Sequence, residues 1–119
     1  LSKGEVNMEI IEKPWGREIW VAKTDQYVLK IIEFKAGSRS SLQYHRIKHE
    51  HIYIDQGRIR FELEQEDGSM LVDEYKPGSV IEVIPGRKHR TEALEDTRLL
   101  EVSTPYLDDV VRVEDDYGR

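Results

Sequence analysis

The sequence of 119 residues contains no cysteine. Disulfides and thiolate metal sites are therefore excluded, and any metal centre must rest on imidazole, carboxylate or amide donors. Apolar runs are short; none approaches the roughly 20 residues that span a bilayer as a helix. No signal-peptide pattern opens the chain. Nor is there an excess of basic charge: the net charge is −6, whereas nucleic-acid binding draws its affinity largely from cationic neutralisation of phosphates. No nucleic-acid partner and no membrane are expected, and the composition suits the cytoplasm. Helical periodicity with caps is missing as well. No linker or low-complexity tract divides the chain, so one domain is expected over residues 8–119, with residues 1–7 read as a tag remnant or disordered tail.

What remains is a period of two. Tyr27 to Phe34, Ile52 to Ile54, Arg58 to Glu64 and Ser79 to Ile84 are rich in β-branched and aromatic residues, and Arg58 to Glu64 alternates between charged and apolar. Such alternation marks a strand with one wet face. Turn signals recur between the runs at Ala36-Gly37-Ser38, Asp55-Gln56-Gly57, Asp67-Gly68, Lys76-Pro77-Gly78 and Pro85-Gly86. Short strands at this spacing predict an all-β sandwich or barrel, and Asp67-Gly68 predicts a hairpin.

Of the four histidines, three fall at 45, 49 and 51 and the fourth at 89. Strand parity sends Gln43 and His45 to one face. After a turn at Ile47-Lys48-His49, Glu50, Ile52 and Ile54 would line the inside of the next strand, leaving His51 and Tyr53 outside. His89, entering a strand after Pro85-Gly86, could join them. Gln43, His45, Glu50 and His89 would then present two nitrogen and two oxygen donors, a set suited to zinc, manganese, iron, cobalt or nickel. Whether Glu50 or His51 completes the set stays open at this level. Taken singly, any such histidine is commonly just a hydrogen-bonded or surface residue.

The spacing Gly37, Gln43, His45, Glu50, Gly57 resembles the first motif of the cupins, and Gly78 followed by Ile84-Pro85-Gly86-Arg87-Lys88-His89 is similar to the second. From about Glu12 to Arg119 the chain further resembles the type II mannose-6-phosphate isomerase domain, the cupin that many bacteria carry behind a mannose-1-phosphate guanylyltransferase. The resembling stretches are Glu12 to Glu18, Ser41 to His45, Glu50-His51 and Asp108 to Arg119. This implies a double-stranded β-helix, or jelly-roll barrel, that holds one divalent ion through Gln43, His45, Glu50 and His89. It implies an aldose–ketose isomerase that interconverts mannose 6-phosphate and fructose 6-phosphate, or a related sugar pair, in carbohydrate metabolism and polysaccharide biosynthesis. Departures stand at Ile47, where the family commonly has histidine, and at His49, Ile52 and Arg58. They bear on the pocket wall, so another metal-dependent cupin enzyme or a non-catalytic sugar-binding cupin is the alternative.

Isomerisation moves a proton between adjacent carbons through an enediolate, whose charge a divalent ion can stabilise. A base is also needed; Lys30, Lys35, His49 and Glu62 qualify by type, and His49 is preferred for its place beside the motif. A sugar phosphate needs a cationic anchor, for which Lys88, Arg90 and Arg112 are candidates, although alternation turns Lys88 and Arg90 outward. Trp15 and Trp20 are expected to seal the barrel or an interface. A homodimer is expected, with Ile10 and Ile11 pairing with a partner's sheet.

Overall fold

The computed structural model describes residues 2–119; Leu1, the first residue of the expected tail, lies outside them. Eleven strands follow in order: β1 (Glu9–Lys13), β2 (Gly16–Lys23), β3 (Val28–Phe34), β4 (Leu42–Tyr44), β5 (Glu50–Gln56), β6 (Ile59–Glu64), β7 (Met70–Tyr75), β8 (Val80–Val83), β9 (His89–Ala93), β10 (Thr97–Ser103) and β11 (Val111–Glu114). Among the described residues no helix is long and apolar enough to cross a membrane.

The strands form two antiparallel sheets. One has the order β1-β2-β3-β10-β5-β8 and the other β11-β4-β9-β6-β7. Non-consecutive neighbours in both sheets give the jelly-roll connectivity. Each sheet turns one face inward, and period-two patterning decides which residues fill it. β5 buries Glu50, Ile52 and Ile54 and exposes His51 and Tyr53, while β6 buries Ile59 and Phe61. Ile32, Phe34, Ile81, Val83 and Leu99 complete the centre of the apolar core.

Turns sit where the sequence marks them. β6 and β7 join at Asp67-Gly68, where Gly68 takes a φ of 85° and the Asp67 carboxylate accepts the Ser69 N–H at 2.9 Å. Only glycine fits at position 16, because a Cβ there would collide with the Glu33 carbonyl. This close approach lets Trp15 stack on Phe34 with centroids 4.1 Å apart, closing one end of the core. Ile10 and Ile11 pair with β2 of their own chain, leaving β1 at the edge of the six-stranded sheet.

Candidate metal centre

β4 and β9 meet at a single register pair, Gln43 with His89, and β11 continues the row with Arg112 beside Gln43. Cross-strand partners share a face, so Arg112, Gln43 and His89 form a line across the inner surface of the five-stranded sheet. From the opposite sheet β5 delivers Glu50. The two sheets enclose a cavity of about 370 Å³ lined by Gln43, His45, Glu50 and His89 among others.

The donor atoms converge. Glu50 Oε1 lies 3.5 Å from His45 Nε2 and 3.2 Å from His89 Nε2. Two ligand atoms bonded at about 2.1 Å to one ion stand roughly 3.0–3.4 Å apart, so the spacing fits a shared cation. Tautomers point the same way. His45 Nδ1 donates to the Asp109 carbonyl at 2.6 Å and His89 Nδ1 to the Arg87 carbonyl at 3.0 Å. A neutral ring with its proton on Nδ1 has only a lone pair on Nε2. Both lone pairs then face a carboxylate oxygen with no donor between them, and His45 Nε2 is a buried atom without a hydrogen-bond partner. Such an arrangement is repulsive until a cation sits in it. Gln43 Oε1 accepts from the fully buried Ser41 hydroxyl at 2.7 Å, which orients the amide and leaves a second lone pair.

Behind the donors lies a buried charge network. Lys48 Nζ bridges Glu50 Oε2 at 3.2 Å and Glu101 Oε2 at 3.3 Å, while Lys30 Nζ contacts Glu18 at 3.1 Å and Glu101 at 4.0 Å. Three carboxylates thus face two ammoniums, so one proton would balance them and a divalent ion would leave a net positive charge. Burial, reinforced by the Glu50 carboxylate, pushes the Glu101 carboxyl up to about 7. For Glu50 burial acts in the same direction, but in the metal-free site hydrogen bonds from His45 and His89, when those rings also carry a proton on Nε2, together with the Lys48 ammonium outweigh it and hold the carboxyl well below the usual range. Burial would lower Lys48, yet Glu101 and Glu50 outweigh it and keep the ammonium charged.

The turn between β4 and β5 is anchored from far along the chain. The Asp109 carboxylate accepts the backbone N–H groups of Arg46, Ile47 and Lys48 at 3.0, 2.7 and 2.9 Å. Burial opposes ionisation there, but the three N–H bonds outweigh it and lower the Asp109 pKa. The same residue therefore shapes the turn with its side chain and orients His45 with its carbonyl.

Several expected residues lie elsewhere. His51 points to the outer face, so it does not approach the Glu50 carboxylate end of the cavity. His49, expected as the base, is also outside, with Nε2 2.8 Å from Glu82 Oε2; it precedes Glu50 by one residue and takes the opposite parity. Lys88 does not line the cavity, and its backbone N–H is held by Glu64 Oε1 at 3.1 Å. Arg90 also points away from the cavity but is not free: its guanidinium is buried, donating to the carbonyls of Ser40 at 3.0 Å and Glu114 at 3.2 Å. Arg112 does line the cavity, together with Lys13 and Arg119. Burial lowers the Lys13 pKa; Glu18 opposes the shift, and Lys30, Arg119 and Arg112 add to it. Trp20 lines the cavity and donates to Glu18 at 3.0 Å. The acidic end of the chain is more tightly held than a solvated tail: Asp116 pairs with Arg39, and the Tyr117 hydroxyl donates to the Arg39 carbonyl at 3.0 Å.

Sequence reasoning missed Glu101, Lys48 and Asp109. Glu101 carried a signal, since it shares parity with Leu99 and Ser103 in an apolar strand and so had to point inward. Lys48 and Asp109 lie in turns, where no periodicity assigns a direction.

Residues 3–115 match the mannose-6-phosphate isomerase C-terminal family. No curated protein sequence matches the chain. Among solved structures, oxalate decarboxylase from Bacillus subtilis is similar at a TM-score of 0.80 and 18% identity, over 90% of this chain and 30% of that one. KdgF from Halomonas sp. is similar at a TM-score of 0.71 and 23% identity, over 87% of this chain and 90% of that one. Likeness at these identities carries the fold, a cupin jelly roll, and the chain spans under a third of the oxalate decarboxylase length. Through a match that runs along nearly its whole length, the chain belongs to the mannose-6-phosphate isomerase C-terminal family of cupin domains.

Proposed function

We propose that the chain is a metal-dependent aldose–ketose isomerase acting on a sugar phosphate, mannose 6-phosphate and fructose 6-phosphate or a related pair. Gln43, His45, Glu50 and His89 would hold one divalent ion. The observation that carries the reading is the convergence of two Nε2 lone pairs on one buried carboxylate oxygen at 3.2 and 3.5 Å, with both Nδ1 protons already donated to carbonyls. The donor set suits zinc, iron, cobalt, nickel or manganese; manganese(II) centres are described in the oxalate decarboxylase neighbour. When bound, the ion supplies Lewis acidity to adjacent sugar oxygens.

The chain's own residues do the rest. Glu101, buried in the cavity wall with its carboxyl raised by burial, is the residue placed to hold and release a proton. Lys48 stays charged between Glu50 and Glu101 and keeps both carboxylates oriented. Trp15 and Trp20 exclude water from one wall. Arg112, without an ion-pair partner among the described residues and in register with Gln43, is the best-placed anchor for the phosphate. A second copy pairing along the exposed edge of β1, where Ile10 is 53% exposed, would give the homodimer.

The test pairs metal content by mass spectrometry, on the wild type and His89→Ala, with an anaerobic assay of mannose 6-phosphate turnover on the metal-loaded wild type. Stoichiometric metal that is lost in the variant, together with turnover, supports the isomerase. Metal without turnover on any phosphorylated aldose overturns the reaction while leaving the site. Arg112→Ala should raise KM for the sugar phosphate by about tenfold or more, the worth of a charge-assisted hydrogen bond, and leave unphosphorylated sugar unaffected.

A further inference from the structure

We propose that the outer face of β5 carries a second site for a divalent transition-metal ion, held by His49 Nε2, His51 Nε2 and Glu82 Oε2. This site is independent of the buried centre and of the isomerase reading.

The three side chains meet for reasons of parity and register. His49 and His51 flank the inward Glu50, so both face out. Glu82 on β8 is the cross-strand partner of His51 and shares its face. Glu82 Oε2 lies 2.8 Å from His49 Nε2 and 3.5 Å from His51 Nε2, and the two rings are 5.4 Å apart, tilted by 30°. One nitrogen or oxygen donor from each residue lies within 4.8 Å of the other two.

The backbone holds the arrangement. The His49 N–H donates to Thr104 Oγ1 and its carbonyl accepts the Thr104 N–H, each at 3.0 Å. His49 precedes β5 but is fixed from both sides, and His51 and Glu82 are fixed by the ladder. What remains for an ion to order is the side chains. Two imidazoles and a carboxylate favour zinc, nickel or copper over magnesium or calcium, which prefer all-oxygen sites. The side chains are 40%, 47% and 53% exposed, so water can fill the remaining positions. β8 is an edge strand whose one sheet neighbour is β5, and an ion here would staple the two together.

The experiment is equilibrium dialysis of zinc against protein free of any polyhistidine tag. The wild type should bind two ions, His89→Ala one, His51→Ala one, and the double variant none. Glu82→Ala should weaken the outer ion at least about tenfold, as expected when a site loses a supporting group, and magnesium in excess should not displace it. Circular dichroism checks folding; should His89→Ala not fold, Glu50→Gln replaces it. The proposal is overturned if His51→Ala and Glu82→Ala keep the wild-type stoichiometry and affinity, or if the folded variant that lacks the inner site binds no zinc. An ordinary surface hydrogen bond between His49 and Glu82 would give that result.

Discussion

The two faces of β5 hold nearly the same chemistry under opposite conditions. Inside, Glu50 meets His45 and His89; outside, Glu82 meets His49 and His51. Donor spacings are alike, 3.2 and 3.5 Å within and 2.8 and 3.5 Å without. Burial separates them, with the Glu50 side chain 2% exposed and that of Glu82 53%. Water can satisfy the outer lone pairs, so that cluster is tolerable empty. Inside, His45 Nε2 is buried without a hydrogen-bond partner, and the protein surrounds the donors with Lys48, Lys30 and Glu101. The same grouping of two imidazoles and a carboxylate is thus buried and coupled to further charges on one face and open to water on the other.

The largest way to break this comparison is Lys48→Met. It leaves Glu50 and Glu101 buried against each other, and losing one partner of a buried ion pair costs about 3–5 kcal/mol. Urea unfolding should show that loss at pH 8 and a smaller one at pH 6, where Glu101 can take up a proton. Next in size is the response to metal. A saturating ion at a hundred times its Kd stabilises by about 2.7 kcal/mol. In a thermal shift this gain should shrink in Glu50→Ala to what the outer face contributes, and persist in Glu82→Ala.

A third test uses pH on metal-free protein. Glu101 has its folded pKa raised from 4.5 to about 7. The native state therefore binds the proton more tightly, and the stability it contributes is present below pH 4.5 and lost as pH rises through about 7. Glu50 has the opposite sign: its lowered pKa contributes stability above the ordinary carboxylate value that is lost as pH falls. Between these limits the declining slope belongs to Glu101, and Glu101→Gln should flatten it in denaturation curves across the window. The smallest effect is Glu82→Gln, an exposed change expected to alter stability by no more than about 0.5 kcal/mol. A larger loss in metal-free protein would show that the outer cluster is structural.

Much of the fold was legible because alternation is local. The Ile59–Glu64 strand, the Asp67-Gly68 hairpin and the inward run of Glu50, Ile52 and Ile54 each follow from neighbours a few residues apart. That Gln43, His45, Glu50 and His89 line one cavity was legible through motif spacing. Direction outside strands was not. His49 looked close to the centre because it adjoins Glu50 in sequence, yet adjacency in a strand means opposite faces. Arg90 was correctly turned from the cavity by parity, but nothing in the sequence revealed that Ser40 and Glu114 would cover it.

By itself, then, the sequence determined an all-β chain, its turns, and which residues of each strand share a face, since these depend on backbone sterics and period-two burial. The tertiary structure decided which faces meet. Asp109 reaches the 46–48 turn across more than sixty residues, and Glu101 on β10 meets Lys48, the near neighbour and ion-pair partner of Glu50. Charge pairing, proton affinity and the tautomers of His45 and His89 follow from those encounters, because they depend on distance and burial in space rather than on separation along the chain.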